Sequence, residues 1–306
     1  MPKIAFIFPG QGAQFAGMGK SLADAYPEAA RVFDQADRAL DFPISKLCFE
    51  GPEGQLKLTE NTQPALLTVS MAAFAVLQSK SLAADYVAGH SLGEYSALVA
   101  AGSLDFADAV RLVRKRGRYM QEAVPAGVGA MAALLKLPEE KLGGVLEEAA
   151  QGEIVSAANF NTPDQVVIAG HVNAVNRAVE LAKAAGARRA VLLQVSAPFH
   201  CALMKPAQDR LKPDLDATAF RDLSIPLINN WQAREVRTAA EARDGLYHQV
   251  PNPVRWTESI RALIANGVTR FIEVGAGSVL TGLLRNIDPS VSAQKFGEAS
   301  DWEKLA

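Results

Sequence analysis

A chain of 306 residues, 49% of them hydrophobic and 21% charged, can bury a full core, which excludes disorder. The formal net charge of -2 implies no bulk attraction to nucleic acid. The two cysteines, Cys48 and Cys201, cannot build a disulfide framework. No stretch approaches the roughly 18 uninterrupted apolar residues of a membrane span, and the first apolar run is too short for a signal-peptide core. The expected setting is the cytoplasm, with both thiols buried and no metal ligands clustered around them.

In chain order, the first element is a buried strand over 4–8, closed by Pro9-Gly10-Gln11-Gly12. Small and apolar residues over 63–77 predict a helix. Tyr86-Val87-Ala88 is a short apolar strand, followed by helix formers over 92–101 and a second helix over 106–120. Late in the chain, 224–228 and 269–274 predict further buried strands, the second stopped by Gly275-Ala276-Gly277 before a short helix. Apolar strands separated by helices, without polar alternation, specify an α/β domain with a mostly parallel sheet.

Between Pro125 and Ser196 the rhythm changes. A strand over 130–137 leads to a helix over 138–150 with Pro138 in its first turn. Strands over 154–158 and 165–169 flank a turn at Asn161-Thr162-Pro163-Asp164. A helix over 172–185, stopped by Gly186, precedes a strand over 189–193. This β-α-β-β-α-β order is the ferredoxin-like pattern. It predicts a subdomain over 125–196, inserted into a larger domain formed by 1–124 and 197–306, with a cleft between them.

Gly89-His90-Ser91-Leu92-Gly93, set between strand and helix, has the form of a nucleophile elbow. Its glycines let strand and helix approach around a strained serine whose hydroxyl is pushed into the open. Such a hydroxyl attacks an acyl carbon once a base takes its proton. The alternative role for Ser91 is a helix N-cap.

Of the four histidines, His90 lies inside the elbow and should point away from the hydroxyl. His171 follows Gly170 at a helix start, and His248 is expected in a loop before Pro251. His200 ends the run Val195-Ser196-Ala197-Pro198-Phe199-His200, where the chain returns to the larger domain, and is the best candidate base. Its alternative is to start a helix. Asp105, Asp108 and Asp164 lie between serine and histidine, but none sits at a strand end suited to a triad acid. A backbone carbonyl or an amide side chain is expected to orient the imidazole instead, with Asn159, Asn229, Asn230 and Gln249 as candidates for such polar roles.

The helix over 106–120 carries Arg111, Arg114, Lys115, Arg116 and Arg118 beside the apolar Leu112, Val113, Tyr119 and Met120. Most of such a run faces water. One guanidinium turned inward would need a carboxylate, which points to an anionic substrate, but spacing does not say which arginine turns. The Gly10-Gln11-Gly12 turn is not a dinucleotide fingerprint, because Phe15 stands where the third glycine would be, and it is not a phosphate loop. Its better use is an oxyanion donor beside the Leu92 amide.

Several runs occur in order: Phe8-Pro9-Gly10-Gln11-Gly12, Thr62-Gln63-Pro64-Ala65, Gly89 to Glu94, the arginine-rich helix ending near Met120, Asn159 with Gln165 to Gly170, Ser196 to His200, and Pro253-Val254-Arg255-Trp256. Together they resemble the malonyl-CoA:acyl carrier protein transacylases of fatty-acid synthesis and the related acyltransferase domains of polyketide synthases, over essentially the whole chain. The resemblance implies an α/β-hydrolase-like core with an inserted ferredoxin-like subdomain. It implies Ser91 as nucleophile, His200 as base oriented by the backbone carbonyl of Gln249, and an oxyanion hole from the amides of Gln11 and Leu92. Arg116 would grip the malonyl carboxylate, with Met120 and Asn159 beside it in the substrate pocket. Phe199 resembles malonyl-selective members, where methylmalonyl-selective relatives have serine; Cys201 stands where many members have serine.

The partners so implied are malonyl-CoA and acyl carrier protein, whose phosphopantetheine belongs to the carrier. No metal and no cofactor of the enzyme's own is implied, and the chain is expected to be a monomer. Arg188 and Arg189 are candidate contributors to a basic patch for an acidic carrier. The rival readings are a serine esterase or thioesterase sharing the elbow, an acyltransferase of a polyketide pathway, and a non-catalytic carrier-binding protein.

Overall fold

The computed structural model describes residues 3–125, 127–195 and 197–305. Met1, Pro2, Ala126, Ser196 and Ala306 lie outside the described residues, and with them the serine of the Ser196 to His200 run. Strand β1 (Lys3–Phe8) is followed by helices α1 (Lys20–Ala25), α2 (Pro27–Leu40), α3 (Ile44–Glu50), α4 (Glu53–Leu56) and the long α5 (Thr59–Ser79). Next come β2 (Tyr86–Gly89), α6 (Gly93–Ala100) and α7 (Phe106–Glu122). The middle of the chain forms β3 (Gly129–Leu135), α8 (Glu139–Ala150), β4 (Val155–Thr162), β5 (Gln165–His171), α9 (Val172–Ala184) and β6 (Arg189–Leu192). The last third holds α10 (Lys205–Ala217), β7 (Leu227–Ile228), β8 (Glu235–Val236), α11 (Ala239–Gln249), α12 (Trp256–Ala265), β9 (Val268–Val274), α13 (Val279–Ile287), β10 (Ser292–Phe296) and α14 (Trp302–Leu305).

The larger sheet has the order β10-β9-β1-β2-β7-β8, parallel throughout except for the antiparallel β7–β8 pair. Strand β1 is apolar without alternation because helices cover both faces of this sheet. Phe6 and Phe8 meet Phe74 of α5 on one face, while Ala5 and Ile7 join Trp256 and Ile260 of α12 on the other. Phe8 pairs in register with Gly89, so the Gly10 loop and the Ser91 elbow leave the sheet side by side at its carboxyl edge.

The smaller sheet has the order β4-β5-β3-β6, with every neighbouring pair antiparallel. Ala132, Leu134 and Ile168 pack under α8 and α9, while Met131, Ala133 and Val167 join the main core. Strand β4 is tied to the larger unit through backbone bonds at Val254, Phe160 N to Val254 O and Val254 N to Ala158 O, each 2.9 Å. Thr257 Oγ1 adds a bond to Phe160 O at 3.0 Å. Among the described residues, no helix is long and apolar enough to cross a membrane.

Several boundaries differ from the sequence expectation. Strand β4 runs on to Thr162 because its ladder with β5 continues to the Thr162–Gln165 pair, so Asn161 and Thr162 are strand and only Pro163 and Asp164 turn. Strand β3 stops at Leu135, where Lys136 takes a positive φ of 56°, and Pro138 is the N-cap of α8 rather than part of its first turn. The strand expected over 224–228 shrinks to Leu227–Ile228, since pairing with β2 covers only those residues. His248 sits in α11, not in a loop. Helices α1 to α4, α10 to α12 and α14 are additions to the sequence expectation, although Ala29, Val32, Phe33, Ala36 and Leu40 fall at helical spacing along α2.

Candidate active site

A cleft of about 230 Å³ opens at the carboxyl edge of the larger sheet, facing the smaller sheet. Gly10, Gln11, Gln63, Ser91, Leu92, Arg116, Met120, Asn159, Phe199 and His200 all line it. The elbow owes its shape to its glycines. A Cβ on Gly89 would lie 1.9 Å from the Gly93 carbonyl carbon, and one on Gly93 would lie 2.0 Å from Phe8 O. Ser91 takes a φ of 51°, a left-handed conformation costly for a residue with a Cβ. Asn230 holds it there: its Oδ1 accepts the Ser91 N–H at 2.6 Å and its Nδ2 donates to Gly89 O at 2.7 Å.

His200 also has a positive φ, 58°, which turns its ring toward the elbow. Its Nε2 lies 2.7 Å from Ser91 Oγ and its Nδ1 lies 3.0 Å from the carbonyl oxygen of Gln249. A carbonyl only accepts, so Nδ1 carries the proton and Nε2 offers its lone pair to the serine hydroxyl. Burial, and then the charge of Arg116, push the imidazole down to about 3, so it is neutral with Nε2 unprotonated.

Arg116 is the inward-facing member of its basic run, 1% exposed. Its Nη1 donates to Gln63 Oε1 at 2.8 Å; its Nη2 donates to Gln249 Oε1 at 2.8 Å and to Ser91 Oγ at 3.2 Å. The guanidinium carbon lies 5.3 Å from the centre of the Tyr95 ring, and Nε has no hydrogen-bond partner among the described residues. Its neighbours on α7 are engaged at the surface instead. Arg111 pairs with Asp108 and Lys115 with Asp214, while Arg114 stacks on Phe42 and Arg118 on Tyr119.

The remaining candidates separate cleanly. His90 Nε2 lies 2.9 Å from Asn161 Oδ1 with its ring edge on Trp256, away from the hydroxyl. His171 accepts the Ile154 N–H through Nδ1, and His248 stacks on Trp231. Asp105 caps α7, and Asp164 pairs with Lys136 on the smaller unit. Asn229 braces the turn after β7 by accepting from the Gln232 and Arg234 amides. Cys48 and Cys201 are buried, and burial pushes the Cys201 thiol up to about 11. Among the described residues, no group of three His, Cys, Asp or Glu is placed to hold a metal.

Three members of the site were not singled out from sequence: Gln63, Glu94 and Asn161. Glu94 is 2% exposed and its Oε2 accepts from Asn230 N and from Gln249 Nε2, both at 2.9 Å. Burial raises it to about 7 against those bonds and the Arg116 charge. A signal was available for Gln63 and Glu94, since each is a polar residue within a stretch of otherwise buried helix. Asn161 offered none, because its value lies in reaching His90 across the cleft.

The acyl transferase domain family matches residues 5–296. The malonyl CoA-acyl carrier protein transacylase of Bacillus subtilis (strain 168) is 52% identical over 289 residues, covering 94% of this chain and 91% of its own length. That of Escherichia coli (strain K12) is 49% identical over 301 residues, covering 98% and 97%. The crystal structure of an acyl carrier protein S-malonyltransferase from Vibrio cholerae superposes with a TM-score of 0.97 at 45% identity, covering 99% of this chain and all of that one. Likeness of this depth along the whole length leaves no room for a shared elbow alone: the chain belongs to the acyl transferase family, among its malonyl CoA-acyl carrier protein transacylases.

Proposed function

We propose that this chain moves a malonyl group from malonyl-CoA to the phosphopantetheine thiol of acyl carrier protein, by way of a malonyl ester on Ser91. The observation that carries the reading is a buried guanidinium that bonds no carboxylate directly among the described residues, 3.2 Å from the hydroxyl that also faces a neutral imidazole. A cation so placed has its binding partner supplied by the substrate.

Ser91 Oγ attacks the thioester carbon as His200 Nε2 takes its proton. The Gln11 and Leu92 amides serve the tetrahedral oxyanion, a role supported by their position on the cleft wall. His200 then returns the proton to the departing coenzyme A thiolate. In the second half, the carrier thiol gives its proton to His200, attacks the ester and leaves as malonyl-carrier. Gln249 holds the imidazole through its backbone carbonyl, so no triad acid is required. Arg116 receives the malonyl carboxylate, with Met120, Asn159 and Phe199 shaping the acyl pocket around it. Both half-reactions exchange one acyl bond for another of similar energy, so the transfer runs in either direction.

The four-stranded unit over 125–196 is the ferredoxin-like subdomain of this reading, supported by its strand order. Residues 1–124 with 197–306 form the α/β-hydrolase-like catalytic domain. We read the protein as a monomer of the cytoplasm. Arg188 and Arg189 are exposed at the start of β6, where an acidic carrier could be met. Intact mass spectrometry after mixing with malonyl-CoA tests the central step. The wild type should gain one malonyl group and Ser91→Ala none; an adduct on the alanine variant would place the nucleophile elsewhere.

A further inference from the structure

Among the described residues, every hydrogen bond that Arg116 makes goes to a neutral group: Gln63 Oε1, Gln249 Oε1 and Ser91 Oγ. Holding a guanidinium charged at 1% exposure is costly unless negative charge lies near. The structure supplies it one amide away. Gln249 Oε1 accepts from Arg116 at 2.8 Å while its Nε2 donates to Glu94 Oε2 at 2.9 Å. The transfer steps make no use of this carboxylate. We propose that Glu94 is the resident counter-charge of Arg116, coupled through the Gln249 side chain and kept from direct contact so that the guanidinium retains donors for a substrate carboxylate. The proposal rests on the reading of Arg116 as the malonyl clamp.

Two consequences follow from the geometry. A direct Glu94–Arg116 pair would occupy the planar fork that a carboxylate needs. At one amide's remove, Glu94 instead offsets part of the positive field and moderates the hold on an incoming malonyl group by like-charge repulsion. The same contact orients Gln249. Its Nε2 is taken by Glu94 and by Ser91 O at 3.0 Å, so Oε1 must face Arg116. Glu94 is therefore a positioning and specificity residue that never touches the acyl group.

The test compares kcat/KM for malonyl-CoA and acetyl-CoA, with carrier protein as acceptor, in the wild type, Glu94→Gln and Glu94→Ala. It is run near pH 8, above the value of about 7 to which burial raises Glu94. Glutamine keeps an oxygen for the Asn230 and Gln249 N–H groups but removes the charge. The malonyl-to-acetyl ratio should rise roughly five- to fifty-fold in Glu94→Gln, through a lower KM for malonyl-CoA. Glu94→Ala should lose kcat with both thioesters because Gln249 is released. An unchanged ratio in Glu94→Gln, or an equal loss with both substrates, makes Glu94 a structural prop and overturns the proposal.

Wild-type chain that forms no malonyl-serine would instead overturn the functional reading itself. Should Glu94→Gln fold poorly, the double variant Glu94→Gln/Arg116→Met, which removes both charges, should be more stable than the single changes predict by addition. Simple additivity, or a double variant that stays insoluble, counts against the coupling.

Discussion

Arg116 differs from Arg111 and Lys115 of α7 in its partners, since those two pair with surface acids while Arg116 is buried and bonds two amide oxygens and the Ser91 hydroxyl. Arg116→Ala should lose malonyl preference over acetyl while keeping some transfer of uncharged acyl groups. Losing a buried charged bond costs roughly 2–5 kcal/mol, which is about 30-fold to several thousand-fold in the ratio of kcat/KM values. Steady-state assays with both thioesters check it, and an unchanged ratio refutes the clamp. Two buried groups near this cation also oppose one another in their response to pH. His200, held near 3 rather than 6.5, binds a proton more readily when unfolded, so its contribution is complete above 6.5 and lost as pH falls toward 3. Glu94, raised from 4.5 to about 7, binds its proton more tightly when folded, so its contribution is complete below 4.5 and lost as pH rises toward 7. Between those unfolded values the slopes offset. Removing one in Glu94→Gln should make stability fall about 1 kcal/mol more steeply per unit of acidification than in the wild type. Urea midpoints at either end of the window measure the difference, and equal slopes would contradict the assigned shifts.

At the scale of elements, the elbow is a three-way crossing of β1, β2 and α6 that only glycines permit. Gly93→Ala would set a methyl group 2.0 Å from Phe8 O, a backbone atom at the centre of the sheet with nowhere to move. The expected loss is about 3 kcal/mol or more in urea unfolding, together with loss of acylation as Ser91 is displaced. A variant of wild-type stability would show the crossing to be looser than its geometry. On the opposite wall, α13 begins where the buried Glu273 carboxylate accepts the Leu280 and Thr281 amides at 3.0 and 2.7 Å. That bond pair anchors the N-terminal turn of the helix that borders the cleft.

For the molecule as a whole, the cleft exists because the smaller sheet is fastened to the larger unit rather than hinged loosely on it. Backbone bonds join Ala158 and Phe160 to Val254, and the His90–Asn161 contact spans the gap at 2.9 Å. Asn161→Ala leaves the half-buried His90 imidazole without that partner, at a cost of about 1 kcal/mol. Urea unfolding should show this loss along with a raised KM for malonyl-CoA, because Asn161 also lines the cleft. Unchanged stability and KM would mean that the backbone bonds alone hold the two units together.

The sequence by itself determined the residues whose chemistry depends on local backbone: the glycine-flanked Ser91, the strand before it, and the β-α-β-β-α-β rhythm of 125–196. Those features are written in neighbouring residues, through sterics and short-range periodicity. Among the four histidines it also singled out His200 as the candidate base, by what surrounds each one along the chain. Which arginine turns inward, and which groups answer its charge, was decided by tertiary structure alone. Arg116 meets Gln63 and Gln249 across sequence separations of 53 and 133, and Glu94 meets Gln249 across 155. Hydrophobic periodicity records that a helix face is buried but not what it is buried against. Pairing among buried polar groups is settled only when distant segments are packed together and water is gone.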